Sequence, residues 1–270
     1  MKFAQILGER IEAHPGKSAT CPVCEASVIA KCGEHRAWHW AHRGVRNCDP
    51  WWEPETEWHR EWKNRFPAHW QEIIRRADSG EKHIADVMTD RGVVLEFQHS
   101  ALRRDEREAR EAYYQNMVWV VDGLRRIRDR PHFFSALGSG KILAANPMTI
   151  GLRVKGNALI RDWGASAVPV FFDFGDAAQP DDPLNFIKPI LWALKPQSPS
   201  DMAILTPITK ASFGAFFAEG RPYETFDVSA ALNRAGLAPA SPPLPPPPSG
   251  RDVLREHFAR TFNARARRRF

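Results

Sequence analysis

The sequence predicts an α/β protein with a small metal-binding module at its N-terminus, and three observations carry that reading. Residues 1–50 hold all four cysteines and four of the ten histidines of the 270-residue chain. Residues 51–123 order their signals as helix, strand, strand, strand, helix, strand. Residues 124–237 continue with apolar runs broken by Pro and Gly, among them VPVFFDFG, which reads as a buried strand ending at a turn.

The N-terminal module rests on Cys21-Pro22-Val23-Cys24, a spacing that lets two thiolates meet one tetrahedral metal. Cys32, His35, His39, His42 and Cys48 follow closely, so a second ligand pair is within reach. The expected zinc set is Cys21, Cys24, His42 and either Cys48 or His39. Cys32 lies in an apolar strand signal, VIAKCG, and is expected to be spared. A segment this short, with few aliphatic residues, needs a metal to fold, so the zinc is expected to be structural. A disulfide framework is excluded by a long chain with only four cysteines.

In ETEWHREWKNRF, residues Glu55, Trp58, His59, Trp62 and Phe66 recur at helical spacing and form one face of the first helix. QEIIRRA reads as a short strand. KHIADVMT and VVLEFQHS flank Asp90-Arg91-Gly92, which fits a three-residue hairpin loop closed by a left-handed residue. LRRDEREAREAYYQN (102–116) reads as a helix and MVWVVDG as a buried strand stopped by Asp-Gly. Seven of the ten tryptophans fall between Trp38 and Trp70. Interleaved with basic residues they can stack on bases, but clustered tryptophan more often builds a core.

Pairing the hairpin strands across that loop sets Val87 opposite Leu95 and Asp86 opposite Glu96. Directly opposed side chains are about 5 Å apart at Cβ, where like charges repel unless a cation sits between them. Two such carboxylates suit Mg²⁺ or Mn²⁺, which favour oxygen ligands. Glu55 and His59, one helical turn apart, could add a third carboxylate and a proton-handling imidazole. The alternative is a solvated hairpin face whose repulsion Lys82 and Arg91 soften.

Taken in order, CPVC…HWAH, ETEWHREWK, HIADV…GVVLEFQHS and REAYYQNMVWVVDG resemble the competence protein CoiA-like nuclease family over roughly residues 18–123. The resemblance implies a zinc-binding segment (1–50) ahead of a restriction-endonuclease-like, PD-(D/E)xK core (51–123) with three layers and a mixed sheet. It implies that Asp86 and Glu96 bind the catalytic metal and that Glu55 is the acid of the first helix. Where that superfamily usually carries Lys, this chain has Gln98, which can orient a water but cannot act as its base, so His59, His83 or His99 would have to help or the metal must suffice. Arg110 could reach a phosphate or lie on a solvated helix face, and Tyr114 could stack on a base or belong to the core.

The α/β extension (124–237) carries no readable motif. A polyproline linker (238–250, containing SPPLPPPPSG) and a basic helical tail (251–270) follow. The tail holds seven arginines against Asp252 and Glu256, a net +5 of the chain's +6. It is either a phosphate-binding arm or a solvated terminus, and linker or tail could recruit a protein partner. No stretch is apolar enough for a membrane span, and Glu9, Arg10 and Glu12 interrupt any secretory segment, so a cytoplasmic location without a membrane partner is expected. The activity expected is metal-dependent hydrolysis of nucleic acid, DNA favoured, with Asp86, Glu96, Gln98, Glu55 and His59 as its residues. The rivals are a zinc-containing nucleic-acid-binding protein without turnover and an interaction adaptor.

Overall fold

The computed structural model describes residues 1–44, 48–51, 53–145, 147–176, 189–196 and 202–220. The polyproline linker and the basic tail lie outside the described residues. The chain folds as a mixed α/β protein with two sheets.

The N-terminal sheet is antiparallel and made of β1 (Phe3–Ile6), β2 (Glu9–Glu12), β3 (Ser18–Thr20), β4 (Ser27–Lys31) and β5 (His39–His42), in the order β2-β1-β3-β4-β5. Its small core gathers Ala4, Ala19, Val28 and Trp40 around Cys21 and Cys48. Trp40 is fully buried, so this tryptophan is core.

The second unit begins with α1 (Glu57–Asn64), whose start is set by Thr56, its side-chain oxygen accepting the His59 amide. Then come β6 (Gln71–Arg76), β7 (Lys82–Met88), β8 (Val94–Gln98), α2 (Arg104–Tyr114) and β9 (Met117–Asp122), in the helix-strand-strand-strand-helix-strand order that the sequence predicts. The chain continues through α3 (Asp129–Gly138), β10 (Lys141–Ala145), β11 (Met148–Arg153), α4 (Ala158–Trp163), β12 (Val170–Asp173), β13 (Ile190–Leu194), β14 (Met202–Thr209) and α5 (Lys210–Glu219).

The nine strands from β6 onward form one sheet in the order β10-β11-β14-β13-β12-β9-β8-β7-β6. It is mixed: β8, β9 and β12 run parallel and the other pairings are antiparallel. Every residue of β8 and β9 is buried, as expected where both faces of a central strand are covered. Alternate residues of β9 serve opposite cores. Trp119 and Val121 pack with Phe133 and Trp163 of α3 and α4, while Val118 and Val120 pack with Trp62 and Phe213 of α1 and α5.

The hairpin between β7 and β8 has the predicted register, Val87 opposite Leu95 and Met88 opposite Val94. Gly92 closes its loop at φ +73°, and its amide donates to the Thr89 carbonyl at 2.8 Å. A side chain there would be strained, which is why glycine ends the loop.

The two sheets join through polar contacts. The amides of Lys2 and Phe3 donate to the Glu72 carboxylate at 2.6 and 2.9 Å, and Lys2 Nζ donates to Gln71 at 2.8 Å. Among the described residues no helix is long and apolar enough to cross a membrane.

Candidate metal centre and acidic cavity

Cys21, Cys24, His42 and Cys48 bring one ligand atom each into a group within 4.8 Å of one another. Cys21 and Cys24 come together because the chain turns back on itself: the Glu25 amide donates to the Cys21 carbonyl and the Val23 amide to Cys21 Sγ at 3.5 Å. His42 Nε2 lies 3.3 Å from Cys24 Sγ and 3.6 Å from Cys48 Sγ, and the Cys21 and Cys48 sulfurs are 4.0 Å apart. A tetrahedral zinc with bonds of about 2.0–2.3 Å spaces its ligands roughly 3.5–3.8 Å apart, so the set fits that ion. Burial and the neighbouring Cys21 and Cys24 sulfurs push the Cys48 thiol up to about 12, a crowding that a bound cation relieves.

The fourth member is Cys48, not His39. Strand alternation sends His39 and His42 to opposite faces of β5, and His39 Nδ1 instead lies 2.9 Å from the Ala37 carbonyl oxygen. Cys32 stays outside the group.

The chain leaves this centre directly into a second site. Asp49 follows Cys48 and accepts hydrogen bonds from the amides of Trp51 and Ile84, both at 2.9 Å, with His83 Nδ1 at 3.0 Å. Trp51 stacks on the His83 ring. Asp49, Trp51, Glu53, Glu55, His59, Lys63, Glu72, Asp86, Glu96 and Arg110 line one cavity of 60 Å³.

Asp86 and Glu96 lie just beyond the paired residues Val87 and Leu95, and each carboxylate accepts an amide from the other strand. The Asp86 amide donates to Glu96 Oε1 at 3.2 Å, and the Phe97 amide donates to Asp86 Oδ2 at 3.0 Å. Glu96 Oε2 meets Arg110 at 3.3 Å. That leaves Asp86 Oδ1 without a hydrogen bond, 4.0 Å from Lys63 Nζ. Burial raises both carboxyl pKa values, that of Glu96 well above the usual range, with the charge of Asp86 adding to it. The two carboxylates repel one another, and a cation between them would relieve that repulsion.

Lys63 is the residue that sequence reasoning missed. It is 2 % exposed and holds Glu55 at 2.8 Å and Glu72 at 3.0 Å. Burial disfavours its charge, but Glu72, Glu55 and Asp86 outweigh that and raise its pKa. Burial would likewise raise Glu55 and Glu72, yet both are lowered, chiefly by Lys63. The signal was present: Lys63 lies one turn beyond His59 on α1, on the face already assigned to the site.

Glu55 lines the cavity but lies just before Thr56, the N-cap of α1, and not on the helix face expected for it; it is tied to Lys63 and to Arg60 Nε at 3.1 Å. His59 Nε2 sits 3.5 Å from Glu53, an ion-pair separation without hydrogen-bond geometry. Burial would lower the His59 pKa, but Glu53 and Asp86 raise it overall. Gln98 is buried outside the cavity lining. Its amide nitrogen donates to Ser100 at 3.2 Å, and its oxygen has no hydrogen-bond partner. His83 and His99 are occupied by Asp49 and Asp122. Arg110, read from sequence as reaching for phosphate or solvated, is buried against Glu96, Glu106 and the Trp51 carbonyl. Tyr114 belongs to the core.

Replacing Lys63 with Met should destabilise the fold by about 3–5 kcal/mol, because three buried carboxylates lose their cation. The depressed pKa values of Glu55 and Glu72 contribute stability that is present above pH 4.5 and lost as the pH falls through them. The variant should therefore also lose much of the acid limb of the stability profile. Urea melts across pH check both, and a loss under about 1 kcal/mol would show that the carboxylates tolerate exposure to one another.

No curated protein and no solved structure matches the chain. Residues 8–50 do match a family model, that of the competence protein CoiA, N-terminal domain, and this stretch holds all four members of the Cys/His group. The N-terminal segment is thus similar to that of a competence-related family and carries a metal site consistent with zinc.

Proposed function

We propose that the chain is a metal-dependent nuclease that hydrolyses phosphodiester bonds, with DNA as the favoured substrate and the acidic cavity as its active site. The observation that carries this reading is the pair of carboxylates Asp86 and Glu96, each accepting an amide of the other's strand, with Glu96 buried and Asp86 beside a fully buried lysine. A buried like-charged pair costs stability, and perturbed carboxyls in a cavity mark functional sites more often than structural ones. The helix-strand-strand-strand-helix-strand order around the pair supports a restriction-endonuclease-like core, and the N-terminal match supports nucleic acid as the partner.

In this reading Asp86 and Glu96 hold Mg²⁺ or Mn²⁺, which would polarise a phosphoryl oxygen and lower the pKa of a bound water. Lys63, close to the free Asp86 oxygen, provides the positive charge that Gln98 lacks and stabilises charge developing on the phosphoryl oxygens. His59, whose pKa Glu53 and Asp86 raise, is placed to deliver a proton to the leaving oxygen. Ser100 holds the Gln98 amide and donates its own amide to Glu53 at 2.9 Å, fixing the exit of β8.

The test is to incubate the full, zinc-loaded chain with linear and circular, single- and double-stranded DNA and RNA, with and without Mg²⁺ or Mn²⁺. Cleavage of DNA with either metal and none without is expected. A second reading, a nucleic-acid-binding protein without turnover, is favoured by Gln98 turning to Ser100 and by the engagement of both Glu96 oxygens. In that case calorimetry would show nucleic-acid binding and no Mn²⁺ binding beyond the Cys/His centre.

A further inference from the structure

A second cavity, of 120 Å³, opens beside the exit of β8 and is lined by Leu102, Arg104, Arg107, Arg125, Asp162 and Trp163. Its three arginines face one carboxylate, and that carboxylate is already engaged, with Asp162 Oδ2 accepting from Arg126 at 3.0 Å. The lining therefore carries a net positive charge.

The arginines are held in different ways. Arg107 is 3 % exposed; its Nη1 donates to the Asp162 carbonyl at 2.5 Å, and its Nε and Nη2 have no hydrogen bond. Glu111 lies 3.3 Å from that Nε and Glu108 3.8 Å from that Nη2. Arg104 is largely exposed and shares Glu108 at 2.7 Å. Arg125 is half-buried, donates through Nη1 to the Ser100 carbonyl and, among the described residues, has no carboxylate within ion-pair distance. Burial and the adjacent Arg126 lower its pKa, so its charge is held at a cost that an anion would offset.

The position matters as much as the charge. Ser100 gives its amide to Glu53 in the acidic cavity and its carbonyl to Arg125 in this one, so a single residue separates the two. The second cavity takes Leu102 and Arg125 from the segments that follow the parallel strands β8 and β9, the edge at which open α/β sheets bind ligands. Leu124 and Ile127 stand exposed on either side of Arg125, as apolar surface for sugars or bases.

We infer that Arg125, with Arg104 and Arg107, forms a phosphate subsite that seats a phosphoryl group of a nucleic-acid strand next to the acidic cavity. The assignment rests on the nucleic-acid reading of that cavity but not on turnover. Guanidinium groups suit this task because their planar donors meet phosphate oxygens in pairs.

The test is fluorescence anisotropy of the full, zinc-loaded chain with a short labelled DNA oligonucleotide without added Mg²⁺ or Mn²⁺, titrated over a range of salt. Arg125→Ala should weaken binding about tenfold and lower the log–log salt slope by about 0.7–0.9. Arg125→Lys should keep the slope and recover part of the affinity, since it retains the charge and loses the fork. Arg104→Ala, at an exposed position, should also lower the slope and covers the case in which the Arg125 variant misfolds. Unchanged slope and affinity in both alanine variants would overturn the subsite. So would inorganic phosphate raising the melting temperature of the wild type but not of Arg125→Ala while oligonucleotide binding is indifferent to the substitution, because that marks a free-phosphate pocket. Arg125-dependent binding by a protein that cleaves nothing would retain the subsite and reject the nuclease, whereas a cleaving protein whose KM is unmoved in Arg125→Ala would do the reverse.

Discussion

Asp86→Asn should abolish metal-dependent cleavage, by roughly two orders of magnitude or more, while leaving the melting temperature of the zinc-loaded chain without Mg²⁺ unchanged or higher. The loss of rate follows from removing the one carboxylate oxygen of the pair that faces Lys63 without a hydrogen bond, since a metal contributes several kcal/mol of charge stabilisation to the reaction. The gain in stability follows from linkage. Burial raises the folded-state pKa of Asp86 above its usual 3.8, so ionising it opposes folding as the pH rises from 3.8 through the folded value. Asparagine removes that cost and can still accept the Phe97 amide through its side-chain oxygen. The advantage should be present at neutral pH and vanish below about pH 4. Opposite movement of activity and stability is the mark of a site kept for function. A lower melting temperature together with intact cleavage would remove Asp86 from the active site.

Cys48→Ser should cost the protein its zinc and, with it, the roof of the acidic cavity. Structural zinc contributes on the order of 10 kcal/mol to small modules, and the N-terminal core is built around Cys21 and Cys48 themselves. The effect should not stop at that module. Cys48 adjoins Asp49, which accepts the Trp51 and Ile84 amides, and the Trp51 carbonyl accepts from Arg110 at 2.6 Å. Loss of the metal should therefore speed amide exchange at Ile84 on β7 and unstack Trp51 from His83, which tryptophan fluorescence reports. His39→Ala and Cys32→Ser should keep stoichiometric zinc. Elemental analysis that finds zinc in Cys48→Ser, with the wild-type melting temperature, would show that the fourth ligand lies elsewhere.

The hairpin was legible because its determinants are local. Asp90-Arg91-Gly92 selects the loop, the loop sets the register through Val87 opposite Leu95, and Asp86 and Glu96 come next along their strands. The Cys/His centre was legible for a related reason: a CxxC turn is formed by the four residues themselves. The choice between His39 and Cys48 was not, since it depends on which face of β5 meets the core.

Lys63 and Arg110 show where reading by residue type fails. Each is a charged residue in a polar helix, a pattern that ordinarily lies on a solvated face. Each is buried because carboxylates from other elements surround it: Glu55, Glu72 and Asp86 around Lys63, Glu96 and Glu106 around Arg110. Gln98 is the converse case. Its position suggests a water-orienting group, but Ser100, two residues on, captures its amide and draws it away from the cavity.

The sequence by itself determined the element order of residues 51–123, the hairpin register and the members from which the metal centre is drawn, because short-range spacing and turn chemistry specify all three. Only the tertiary structure decided that β12, β13 and β14 extend the same sheet beyond β9, that Lys63 neutralises the acidic cavity and that Arg125 sits one residue from it. Those arrangements join positions far apart in the chain. Electrostatic pairing across such distances leaves no periodic trace along the sequence, and burial, which gives each pair its strength, exists only once the layers have closed.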